Sequence, residues 1–280
     1  MRLSDLVPEL SEHVESLDTR VFGLESGFFY LPAAQAESWG VTQPSWLEDL
    51  LTLLAIGHAH FAVQDMVVDS GGCPPESALL ADVCLLEYLD ALDRLSSHSP
   101  RRYRDLHDSY YRWYLRGLLT ELGHRQKLHA YSVREISELG LKAAPGNTII
   151  HLVADASGRP EDAESAVKAV MQLCTGLQLL DDLNDISGDY GDGNLTMALT
   201  ATLLSIDDLP RQGLDPEDLV ALAASSGVAD GCVGIAQEYF SLAEASAVEA
   251  GADVIAALAR MWNLRAESRR RIIAEALAGL

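Results

Sequence analysis

The chain has 280 residues, 48% of them hydrophobic, enough for one substantial core, and it shows no composition break or low-complexity linker. Twenty Lys and Arg against 42 Asp and Glu leave a formal charge of −22, a field that repels phosphate backbones and anionic membrane surfaces. Nucleic-acid and membrane partners are therefore not expected.

Leu, Ala and Glu outnumber the β-branched residues that would signal a sheet, so the expected class is all-α, a single domain over residues 1–280. Cys73, Cys84, Cys174 and Cys232 lie far apart and form no CxxC pair or His-linked metal pattern; they read as reduced thiols. The opening MRLSDLVPEL lacks the apolar run of a signal peptide, and no later stretch is long and uncharged enough to span a bilayer, so a soluble cytoplasmic protein is expected.

Helix punctuation recurs along the chain. Ser45 with Glu48 reads as a capping box opening a long helix to about Asp69, ended by Gly71 and Gly72. Pro74 and Pro75 open another to about Leu95, and Ser99 with Pro100 a third, rich in Tyr110, Tyr111, Trp113 and Tyr114. A second capping box, Ser132 with Glu135, starts a helix that meets Pro145 and Gly146, where a kink or break is predicted, before an apolar continuation to about Ala156. From Pro160 a periodic segment runs to Ile186, stops at Ser187 and Gly188, and gives way to a polar loop with Asp192 and Asn194. Asp215 and Pro216 cap a short helix, and two more helices end in the basic cluster Arg269, Arg270 and Arg271.

Two clusters carry chemistry. In HAHFAVQDMVVD, residues 58–69, Asp65 and Asp69 are four apart and share a helix face, with His58 two turns earlier. In QLLDDLNDISGD, residues 178–189, Gln178, Asp181, Asp182 and Asp185 fall at helical spacings after an apolar run. Both clusters close a helix, where the helix dipole disfavours anions and like charges repel, so each is unfavourable without a cation. Grouped carboxylate oxygens suit Mg²⁺, which retains waters and shares substrate phosphate oxygens. Solvated acidic helix ends are the plain alternative for each cluster taken alone.

The pair of clusters resembles the two Asp-rich motifs of the trans-prenyl diphosphate synthase and class I terpene synthase superfamily, over about residues 45–200. The first motif there reads DDxxD after a His; DMVVD keeps Asp65 and Asp69 but has Met66 between them, and His58 falls where the family often has His. The second, a Gln followed after two residues by DDxxD, matches closely. Ala81 and Asp82 resemble a Gly-Asp pair, and Lys142 and Ala143 a Lys-Thr pair whose lysine contacts the diphosphate. The resemblance implies a helical bundle around a central cavity, often homodimeric. It also implies three Mg²⁺ ions held by Asp65, Asp69, Asp181, Asp182 and Asp185, and an allylic prenyl diphosphate substrate contacted by Lys142 and Gln178. Phe61, one turn before Asp65, is a candidate pocket floor with His60 beside it.

Departures from the family pattern concern a second diphosphate. GLESGFFYLP and SGGCPPES carry none of the cations that chain-elongating members use to hold isopentenyl diphosphate, and a family Gly-Lys-x-Thr resembles Gly193, Asn194, Leu195 and Thr196, with Asn for Lys. The leading expectation is therefore a class I terpene synthase, a lyase releasing diphosphate to give a hydrocarbon or alcohol. The alternatives are a divergent prenyl diphosphate synthase or prenyltransferase, in which arginines such as Arg125 or Arg269 bind the second substrate, and a non-catalytic partner subunit.

Overall fold

A computed structural model describes residues 27–69, 75–124, 127–206 and 214–278, and those residues contain helices, turns and loops but no strand. The expectations for Gly71, Gly72, Cys73, Pro74 and Arg125 lie outside the described residues. The helices are α1 (Gly27–Ser38), α2 (Pro44–Asp69), α3 (Pro75–Leu95), α4 (Pro100–His124), α5 (Val133–Glu138), α6 (Asn147–Ala156), α7 (Ala163–Asn184), α8 (Ile186–Asp192), α9 (Met197–Leu204), α10 (Pro216–Ser225), α11 (Val228–Glu249) and α12 (Asp253–Ala278). The all-α expectation holds. No single described helix is long and apolar enough to cross a membrane.

Proline sets several of these starts. α2, α3, α4 and α10 each open on a proline, whose fixed φ suits the first turn and whose missing N–H would be unpaired there anyway. Because α2 begins at Pro44, Ser45 lies inside the first turn and is not the cap that the sequence suggests. At Ser132 the capping box does form. Its hydroxyl accepts from the Glu135 N–H at 3.3 Å while its own N–H donates to Glu135 Oε2 at 2.7 Å.

The chain divides into two compact units. The first comprises residues up to 108 together with 152–159. In it α2 packs along α3 and against α1, with Leu50, Leu53, Leu80 and Leu92 fully buried. The approach of α2 to α3 is close at Gly57, where a Cβ would lie 2.9 Å from the Tyr88 ring. One turn on, His60 Nδ1 donates to the Ala81 carbonyl at 2.8 Å.

The second unit comprises 109–151 and 160–280. Its centre is α7, packed on α11, which packs in turn on α12. Gly176 lets the Phe240 ring lie against the α7 backbone. The break expected at Pro145 and Gly146 is a run of 3₁₀ turns, Leu139–Gly146, between α5 and α6. Proline cannot supply the N–H that an α-helical ladder needs, and the run lies against α7.

The end of α7 differs from expectation. It stops at Asn184 on Asp185, at φ −94° and ψ 7°, and the chain re-enters a helix, α8, through Ser187 and Gly188. The stop comes at Gly193, in the left-handed region at φ 73°. Exposed glycines inside α8 cost little more than propensity, whereas the positive φ at residue 193 requires one.

Candidate active site

The end of α7 presents the second acidic cluster in two directions. Asp181 and Asp185 are exposed, and the Asp181 carboxyl is held above the usual carboxylate range by crowding against protein and by the charge of Asp185, with Lys142 opposing. Two anions at a helix C-terminus are unfavourable on their own and become favourable beside a cation. Asp182, by contrast, is 4% exposed and turned inward. Its Oδ1 accepts from Gln178 Nε2 at 2.9 Å and its Oδ2 from the Met197 backbone N–H at 3.3 Å. Burial pushes this carboxyl up to about 7, against the two hydrogen bonds.

Expected as a metal ligand, Asp182 therefore ties the end of α7 to the first turn of α9. Expected beside the diphosphate, Gln178 is the residue that holds it. The sequence reading missed this connection, although Thr196 ahead of the apolar run MALTATLL has the pattern of a helix N-terminus. Thr196 donates through its hydroxyl to Asp189 Oδ2 at 2.8 Å, which fixes the loop that begins at Gly193.

Lys142 reaches this region from the 3₁₀ run. Gly140 carries the run onto α7, where a Cβ would collide with the Met171 carbonyl, 2.7 Å away, and with Thr175. Two residues later Lys142 Nζ pairs with Glu121 Oε2 at 2.7 Å, both half-buried. Lys142, Glu121, Gln178, Asp182 and Thr196 line one small cleft of about 30 Å³, room for a single water.

The other expected site residues lie on α2, in the first unit. The helix backbone runs through Asp65 to Asp69; the side chains of both lie outside the description. His58 and Phe61 are half-buried. His60 is 2% exposed, bonded to the Ala81 carbonyl and set edge-on to Phe61 with ring centroids 4.7 Å apart. A carbonyl only accepts, so the His60 proton sits on Nδ1, and burial depresses the basicity of the ring. The structure thus gives His60 a packing role between α2 and α3.

No protein-family model matches the chain, and no curated protein matches it by sequence. Solved structures do match by fold. A polyprenyl synthase from Roseobacter denitrificans aligns at a TM-score of 0.69 and 17% identity, covering 94% of this chain and 99% of that one. A geranylgeranyl pyrophosphate synthetase from Pyrococcus horikoshii aligns at 0.68 and 16%, covering 93% of each chain. A polyprenyl synthase from Caulobacter crescentus, complexed with calcium and isoprenyl diphosphate, aligns at 0.69 and 17%, covering 94% of this chain and 96% of that one. At these identities the likeness establishes the fold alone: the chain has the all-helical fold of the trans-prenyl diphosphate synthases.

Proposed function

We propose that the chain is a divalent-metal-dependent enzyme that ionises an allylic prenyl diphosphate and transfers the prenyl group, as a divergent member of the prenyl synthases whose fold it shares. The supporting observation is the end of α7, where Asp181 and Asp185 are exposed at a helix C-terminus within electrostatic reach of Lys142. An all-oxygen donor set of this kind fits Mg²⁺. In this reading Asp65 and Asp69 on α2 are also metal ligands, with three ions in all, and His58 and Phe61 are substrate-binding residues. Bound Mg²⁺ would supply Lewis acidity toward the leaving diphosphate. The chain's own parts are Lys142, a fixed cation for the charge that develops on the leaving group, and Asp182 with Gln178, which hold the α7 terminus in register with α9. Residues 1–280 act as one functional domain in this proposal, supported by alignments that span nearly the whole chain. A homodimer in the cytoplasm is part of the same reading.

The sequence alone put the terpene synthase reading first, and the fold comparisons favour prenyl transfer, since each names a polyprenyl synthase or a geranylgeranyl pyrophosphate synthetase. The second reading keeps one specific support: Asn194 stands where those enzymes are expected to carry a lysine, beside the Thr196–Asp189 contact. Radiolabelled isopentenyl diphosphate supplied with C10, C15 and C20 allylic diphosphates and Mg²⁺ separates the readings. Label in a longer prenyl diphosphate supports transfer. An unlabelled hydrocarbon or alcohol supports the terpene synthase. No turnover with any of them removes both and leaves the partner-subunit reading.

A further inference from the structure

Beyond that function, one cluster of side chains in the second unit has the donor set of a different metal. His124 from the last turn of α4, His129 from the irregular segment before α5 and Glu135 from the first turn of α5 bring one ligand atom each to within 4.8 Å of one another. The two oxygens of Glu135 are divided between tasks. Oε2 accepts from the Ser132 N–H at 2.7 Å and from its hydroxyl at 2.6 Å. Oε1 lies 3.0 Å from His124 Nε2 and 3.3 Å from His129 Nε2.

The tautomer of His129 turns this proximity into a question of charge. Its Nδ1 is 3.0 Å from the Lys127 carbonyl, which only accepts, so Nδ1 carries the proton and Nε2 of the neutral ring is a bare lone pair. That Nε2 is shut off from water and, among the described residues, has no hydrogen-bond partner. In that neutral form a lone pair 3.3 Å from a carboxylate oxygen is repulsive, and a cation between the two, a proton or a metal ion, makes it attractive. Tyr131 fixes both rings in place, stacked on His129 and edge-on to His124, each at a centroid distance of 4.8 Å.

We propose that His124, His129 and Glu135 bind one transition-metal dication, zinc by preference, with no ligand drawn from the acidic clusters. Two imidazole nitrogens and one carboxylate oxygen are borderline-soft donors that suit Zn²⁺ and disfavour Mg²⁺. Tetrahedral zinc with bonds of roughly 2.0–2.2 Å sets its donors roughly 3.3–3.5 Å apart, close to the two separations from Glu135 Oε1. The Lys127 carbonyl behind His129 and Ser132 behind Glu135 are the outer contacts that orient such ligands. Three protein ligands leave a fourth position, and His124 and Glu135 line the cleft that has room for one water. The ion would pin the start of α5 to the end of α4, and so steady the 3₁₀ run that carries Lys142.

The test is calorimetric titration of the metal-stripped full chain with Zn²⁺ in excess Mg²⁺, with Co²⁺ absorption as a geometric probe. One Zn²⁺ per chain is expected, along with the intense visible bands of tetrahedral cobalt. His129→Gln and His124→Gln should each weaken zinc binding by about 100-fold or more, since even outer contacts are worth about 10–100-fold. Asp181→Asn should leave it unchanged. Failure to bind zinc over Mg²⁺, binding unaffected by either histidine change, or binding lost in Asp181→Asn would overturn the proposal. The cobalt spectrum of the unaltered chain decides the matter should either variant misfold: weak octahedral bands also overturn it.

Discussion

Neighbouring aspartates at the end of α7 face opposite ways, and this sets their roles apart. Asp181 is exposed and, among the described residues, bonded to nothing that its loss would orphan, so Asp181→Asn is expected to abolish metal-dependent turnover with the thermal midpoint of the metal-free chain kept or slightly raised, since it relieves repulsion with Asp185. Asp182→Ala leaves Gln178 and the Met197 N–H without their acceptor inside the protein, a loss of about 1–3 kcal/mol. It should lower the denaturation midpoint first and reduce activity through misplacement of α9. Equal stability losses in the two variants would contradict this division. The three acidic positions Asp181, Asp182 and Asp185 were legible in the sequence because helical spacing puts them on one end of one helix. Their opposite orientation was not, because it depends on the start of α9, fifteen residues on, arriving beside Asp182.

His107 gives a residue-scale handle on pH. It is 3% exposed against Tyr88, and burial lowers its pKa to about 4; Asp108 opposes that shift, while His60 on α2 and Arg104 add to it. Between about 4 and the ordinary histidine value the unfolded chain holds a proton that the folded chain does not. Stability therefore falls as pH drops through that window, by at most about 3.5 kcal/mol at ~1.4 kcal/mol per pH unit. Urea denaturation of His107→Asn between pH 4 and 7 should show a shallower dependence than the unaltered chain. An identical slope would mean that the ring already titrates normally.

At the scale of elements, glycine decides where helices can touch. A methyl at Gly140 meets the Met171 backbone carbonyl, which cannot move without breaking α7. Gly140→Ala is expected to cost about 1–3 kcal/mol, more than the gain in helix propensity of roughly 1 kcal/mol returns. Because the displaced run carries Lys142, the substrate affinity of the folded fraction should fall as well. Gly176→Ala forces a Cβ to 2.6 Å from the fully buried Phe240 ring. It should destabilise comparably while leaving that affinity intact, so the two variants separate packing from positioning. The sequence announces helix starts well, through Ser132 with Glu135 and through the prolines, since caps are local chemistry. It misplaced the end of α7 because Ser187 and Gly188 look like a stop, whereas the real stop is set by the left-handed turn at Gly193.

For the whole molecule, the fold was readable from a few motif residues although no family model matches and identity to its structural neighbours is near 17%. The reaction was less readable, because prenyl transfer and terpene formation begin with the same ionisation and differ in whether cations hold a second diphosphate. A chain of net charge −22 repels any polyanion that approaches alone, and the carboxylates within each acidic helix end repel one another, so metal and diphosphate should each need the other to bind. Inorganic diphosphate without metal is accordingly expected to leave the thermal midpoint unmoved, and Mg²⁺ alone to raise it slightly. The two together at about 100 times their apparent dissociation constant should add about 2.7 kcal/mol, a rise of several degrees for a chain of this length. Asp181→Asn should remove this synergy and His129→Gln should not, because the latter lies outside the acidic clusters. A midpoint raised as much by diphosphate alone as by the pair would mean that fixed cations of the chain, not bound metal, neutralise the ligand.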